Sequence, residues 1–200
     1  RIQEVHITGK HYGFLNYGRI IRTKDDDTDE LKNVVKDSHL LNKARKIGKK
    51  DLDFPSFLDG QYHWMKAKEF AKSIGLNVVM AKARRKGFSY MEGWDCALTA
   101  NMNPYSTTLI AAYDYKYLIK GNQILSMSKR YLDFLELHTD FGRGYIKEAI
   151  DHIKLGYKKP NEGNKEFGYQ SQIIGVSCMD NPDAPAGKDA LLIKFEETGK

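Results

Sequence analysis

The sequence predicts an α/β fold, a mostly parallel sheet flanked by helices, with a small N-terminal region ahead of it. Two observations carry this. From Asp59 onward, short apolar runs alternate with segments of helical periodicity, as strand–helix–strand connections require. The runs Asn77–Ala81, Thr107–Ala112, Ile173–Ser177 and Leu191–Ile193 are nearly free of charge, which suits strands buried on both faces.

Residues 1–57 read as the N-terminal region and 58–200 as the main domain, incomplete at its C-terminal end. Within the first region, Tyr12–Ile21 (YGFLNYGRII) is aromatic and β-branched, consistent with a strand. Asp25–Asp29 makes an acidic loop. Leu31–Ile47 reads as a basic amphipathic helix whose Lys43, Arg45 and Lys46, with Lys49 and Lys50, either meet DNA phosphates or form a solvated face. In the main domain, Tyr62–Ser73 is expected as a helix stopped by Gly75. Tyr90–Ala100 suits a second helix, broken by Asn103-Pro104, and Lys116–His138 a third. The polar stretch around Gly163 reads as a loop.

Composition removes several function classes. The chain of 200 residues has two cysteines, Cys96 and Cys178, far apart and without paired ligands, so neither a disulfide scaffold nor a zinc site is expected. The six histidines form no HxxxH or HExxH pair. No window of about 18 uncharged apolar residues occurs, so no membrane span is expected. The first ten residues lack the apolar core of a signal peptide. The chain opens on Arg1 rather than Met, as a piece of a longer protein would. A net charge of +6 favours polyanionic partners.

The stretch that carries chemistry is Lys82-Ala83-Arg84-Arg85-Lys86-Gly87-Phe88-Ser89, between an expected strand and an expected helix. A phosphate-binding loop belongs there, and its usual pattern is GxxxxGK[ST]. Gly87 and Ser89 fit. Lys82 stands where the first glycine belongs, and Phe88 where the lysine does. A bound triphosphate needs backbone N–H groups, cations and a hydroxyl for Mg²⁺. Gly87 permits close backbone approach, Ser89 supplies the hydroxyl, and Lys82, Arg84, Arg85 and Lys86 supply charge. An exposed basic turn is the alternative.

A second element is Ala190–Glu197 (ALLIKFEE), an apolar strand ending in two carboxylates. In phosphate-loop enzymes the first such acid holds Mg²⁺ and the next polarises the attacking water. A solvated helix start is the alternative. A third is Asp59-Gly60-Gln61 at a helix start, where a glutamine amide matches the adenine edge.

Taken in order, Asp59-Gly60-Gln61-Tyr62, KARRKGFSY at 82–90, the stretch from Gly175 through Asp180-Asn181-Pro182-Asp183 to Ala190, and LLIKFEE at 191–197 resemble the large terminase subunits of tailed bacteriophages. Asn16-Tyr17-Gly18-Arg19 is similar as well. The resemblance implies a P-loop NTPase-type fold of the additional-strand class. It implies an ATPase that uses ATP and Mg²⁺ to drive double-stranded DNA into a procapsid. It further implies Lys82 on the phosphates, Arg84 as a trigger at the γ-phosphate, Gln61 at adenine, Ser89 and Glu196 at Mg²⁺, and Glu197 as catalytic base. Arg85, Lys86, Gly87 and Phe88 complete the expected nucleotide loop. Glu196 departs from the commoner aspartate. Implied partners are the portal and procapsid, the small terminase subunit and further copies in a ring, in the cytoplasm of an infected bacterium. A nuclease domain is expected only beyond this chain. Two alternatives stay open: a helicase-like nucleic-acid-dependent ATPase, and a non-catalytic DNA- or capsid-binding module derived from an ATPase.

Overall fold

A computed structural model of the chain describes residues 5–23, 50–81, 86–119, 123–179 and 181–196. The expected acidic loop and basic helix of residues 25–47 lie outside these residues.

The chain begins with helix α1 (Gly9–Tyr17), capped by Thr8, whose side chain accepts from the His11 amide at 3.1 Å. The strand expected over Tyr12–Ile21 is therefore mostly helix. The Thr8 cap starts the helix and Phe14 enters the core, while the β-branched end becomes strand β1 (Ile20–Thr23). Strand β1 pairs antiparallel with β2 (Lys50–Asp53). Helices α2 (Asp59–Ser73) and α3 (Phe88–Met102) follow, then β3 (Thr107–Ala112). The single helix expected over Lys116–His138 is two, α4 (Lys116–Ile119) and α5 (Ile124–His138).

Gly163 lies in the turn expected there, but strands not foreseen precede and flank it: β4 (Tyr145–Glu148), β5 (His152–Leu155), β6 (Tyr157–Lys159) and β7 (Lys165–Phe167). Strands β6 and β7 make a separate hairpin. The last strands are β8 (Gln172–Ser177) and β9 (Leu192–Glu196).

The main sheet has the order β4-β5-β8-β3-β9. Strand β3 runs parallel to both β8 and β9, whereas β5 is antiparallel to β8 and β4 to β5. The architecture is α/β, with a mixed rather than mostly parallel sheet. The run Asn77–Ala81 forms no strand, and Val79 is 95% exposed. A short apolar run becomes a strand only where a neighbour takes its backbone hydrogen bonds. No strand lies alongside it among the described residues, and β9 pairs with β3 instead.

Helix α3 forms the middle of the core. Trp94 meets the Tyr131 ring of α5 edge-on at 5.7 Å. Helix α1 approaches α3 through Gly13, where a Cβ would stand 2.7 Å from the Trp94 ring. Phe14, Met91, Trp94, Ile110, Tyr131 and Ile173 share one buried cluster, so α1 is built into the same core as the sheet. Among the described residues no helix is long and apolar enough to cross a membrane.

Candidate nucleotide site

The parallel strands β3, β8 and β9 end on one edge of the sheet, where open α/β sheets bind their ligands. Helix α3 begins beside the end of β9. Its cap is Gly87, in the left-handed region at φ 72°, with no side chain capping the helix. Only glycine adopts this conformation without cost. The first amides of such a helix have no carbonyl partner within the helix itself and point out of its end. Two residues on, the Ser89 hydroxyl donates to Glu196 Oε1 at 3.2 Å. The two residues foreseen as metal ligands are therefore side by side, though the strand expected to bring them together is not formed.

The remaining foreseen residues divide. Lys82, Arg84, Arg85 and Glu197 lie outside the described residues. The Phe88 ring packs against the core, and a Cβ at Gly60 would stand 3.7 Å from it. It stands where the usual pattern has lysine and is part of the hydrophobic packing, so it offers phosphate nothing but its backbone. Gln61, on the first turn of α2, is only 3% exposed, and its Nε2 donates to the Lys86 carbonyl at 3.2 Å. This bond ties α2 to the loop just before Gly87.

Beside this bond lies a cavity of about 400 Å³, lined by Phe14, Ile20, Pro55, Leu58, Gln61, Gly87 and Tyr90 among others. Its walls are largely apolar. Gln61 Oε1 is buried and has no hydrogen-bond partner among the described residues. A buried orphan acceptor costs about 1–3 kcal/mol, so a donor brought by a ligand would be favoured there. The cavity adjoins Gly87, so it opens beside the start of α3.

Behind the Ser89–Glu196 pair lies a charge cluster that the sequence reading did not foresee. Lys194 of β9 donates to Glu92 and, at 2.8 Å, to Asp95 of α3. Lys68 of α2 donates to the same two carboxylates at 2.8 and 2.9 Å. Lys10 of α1 reaches Asp95, and Trp64 Nε1 donates to Glu92 at 2.6 Å. Burial would push both carboxyls up, but the Lys68 and Lys194 ammonium groups outweigh it and hold them below the usual range. Burial would likewise lower Lys194, and Asp95 and Glu92 reverse this, keeping it firmly charged. The signal was legible: two acids three residues apart in the apolar helix YMEGWDCALTA, and one lysine inside LLIKF. Charges in such company are bought only with partners.

Comparison of the chain with family models, curated proteins and solved structures found no match. The site is therefore read from its chemistry. A hydroxyl and a carboxylate meeting at a helix N-terminus suit a hard divalent cation bound together with an anion. Two protein oxygens are few for Ca²⁺ and ordinary for Mg²⁺, which keeps water and phosphate oxygens around it. Among the described residues no group of three or more His, Cys, Asp or Glu side chains converges to hold a metal without such help.

Proposed function

We propose that this chain is the nucleotide-binding part of an ATP-driven motor for double-stranded DNA, of the kind found in viral large terminase subunits, with a P-loop NTPase-type sheet of the additional-strand class. The observation that supports it most is the hydrogen bond between Ser89 and Glu196, 107 residues apart in the chain. A phosphate loop and a metal-binding carboxylate have to converge in this way.

In this reading Gly87 and the first amides of α3 face the phosphates, and Ser89 and Glu196 hold Mg²⁺. The metal supplies charge neutralisation on the phosphate oxygens when bound. The Gln61 carbonyl oxygen accepts the exocyclic amine of adenine in the adjoining cavity, while its own amide remains on Lys86. Lys82 and Arg84 take the place of the missing loop lysine, and Glu197 orients the attacking water.

The test is ATP hydrolysis by the full-length protein with and without duplex DNA. Glu197→Gln is expected to abolish DNA-stimulated turnover and leave nucleotide binding largely intact. Unchanged turnover would put the catalytic carboxylate elsewhere. The packing of Phe88 into the core favours a second reading, a module that binds nucleotide or DNA without turnover. Tight ATP binding with no hydrolysis in the unmodified protein would establish that reading instead.

A further inference from the structure

Resting on the ATPase reading, we propose that Lys194 is a positioning residue, which keeps Ser89 and Glu196 in register by pinning β9 to α3. Alternate residues of a strand share a face, so Lys194 and Glu196 both point toward α3. Glu92 and Asp95 lie three and six residues beyond Ser89 on that helix. One ammonium group therefore joins the strand that carries the carboxylate to the helix that carries the hydroxyl. Among the described residues β9 is held by a neighbouring strand on one side only, through β3, and Ala112↔Glu196 is the last pair of that ladder. Backbone pairing alone leaves the end of β9 weakly fixed along α3. The Lys194 bonds add a second side-chain tie between β9 and α3, one turn along from the Ser89–Glu196 bond.

Lys68 provides an internal comparison. It touches the same two carboxylates with similar distances, but from α2, which carries neither Ser89 nor Glu196. A general stabilising role predicts equal effects for the two lysines. A positioning role predicts unequal ones.

The experiment compares Lys194→Met, Lys194→Arg and Lys68→Met in the full chain by two measurements. The first is amide hydrogen exchange of residues 88–92 and 192–196. The second is the Mg²⁺ concentration giving half-maximal ATP hydrolysis. Lys194→Met is expected to speed exchange in both segments together. It should also raise the Mg²⁺ requirement about tenfold, the lower end of what outer-shell partners contribute to metal affinity, with KM for ATP nearly unchanged. Lys194→Arg should recover most of both, and Lys68→Met should lower the melting temperature while leaving the Mg²⁺ requirement unchanged. If Lys194→Met does not fold, Lys194→Gln with Glu92→Gln leaves a neutral pair in the same place and should show the same Mg²⁺ shift. Equal Mg²⁺ shifts for Lys68→Met and Lys194→Met, or exchange that stays unchanged at 88–92, overturns the proposal. If the unmodified protein shows no Mg²⁺-dependent hydrolysis, the ATPase reading fails by itself. Hydrogen exchange then decides the positioning role alone: joint opening of the two segments supports it, and separate opening overturns it.

Discussion

The Ser89 hydroxyl donates to Glu196 Oε1 across 3.2 Å, joining the first turn of α3 to the last residue of β9. The contact brings a hydroxyl and a carboxylate to the edge where the parallel strands end. The Gly87 turn and an apolar cavity beside Gln61 lie next to it.

Gln61→Ala removes the bond to the Lys86 carbonyl and the orphan acceptor at once. Adenine nucleotide affinity is expected to fall by about 1–3 kcal/mol, the range for a good polar contact to a base edge. Guanine nucleotides, which present a carbonyl where adenine presents an amine, should lose less. Isothermal titration with both nucleotides measures the difference. Equal losses would mean that Gln61 supports the loop and does not read the base.

The loop cations are separable by kinetics. Lys82→Ala is expected to weaken ATP binding and turnover together. Arg84→Ala should depress turnover far more than binding, because a trigger at the γ-phosphate acts chiefly in the transition state. Lys86→Ala is the charge control. If it matches the other two in affinity and steady-state rate, the loop acts as a basic patch only.

His11 gives the N-terminal helix a pH dependence. Its ring is fully buried, stacked on Phe57 at 5.2 Å, and neither ring nitrogen has a partner among the described residues. Burial lowers its pKa below the ordinary 6.5. At higher pH the imidazole is neutral in folded and unfolded chains alike, and this contribution is whole. As pH falls through about 6.5 the unfolded chain takes the proton first, so stability declines. Melting curves between about pH 5 and 8 should show this decline, and His11→Phe, which keeps the stack, should flatten it. An unchanged slope in the variant would assign the decline to other groups.

The two thiols should behave differently. Cys96 is buried in α3, and burial pushes its pKa up to about 12. Cys178 is only half-buried. A thiol reagent at neutral pH is expected to label Cys178 alone in the native protein and both residues in denaturant. Rapid native labelling of Cys96 would show that α3 opens readily.

Element type was easier to read in this sequence than topology. Ser89 and Glu196 were named from a helix start and a strand end, and the fold brings these two side by side; the burial of Gln61 had no local signature. Which strand lies next to which is not local. Asn77–Ala81 has the composition of a strand, yet β3 is the neighbour that β9 takes. The antiparallel pair β4 and β5 was readable and was missed: in His152–Leu155 the buried Ile153 and Leu155 alternate with Lys154. The break between α4 and α5 also had a marker, Gly121-Asn122. That Glu92, Asp95 and Lys194 need partners was legible in their apolar surroundings; which partners they take was not, because the cluster's members come from four separate elements that only the fold brings together.

Strand β9 has one more consequence, for handling the protein. Its inward-facing lysine is fully engaged with Glu92 and Asp95. The side chains alternating with it, Leu191, Ile193 and Phe195, are 54%, 42% and 57% exposed. Among the described residues β9 is an edge strand; edge strands usually discourage unwanted strand addition with an outward charge or a proline, and its lysine is turned inward. The polypeptide should therefore self-associate as its concentration rises, more strongly in sulfate than in chloride, and an outward Ile193→Lys change should keep it dispersed.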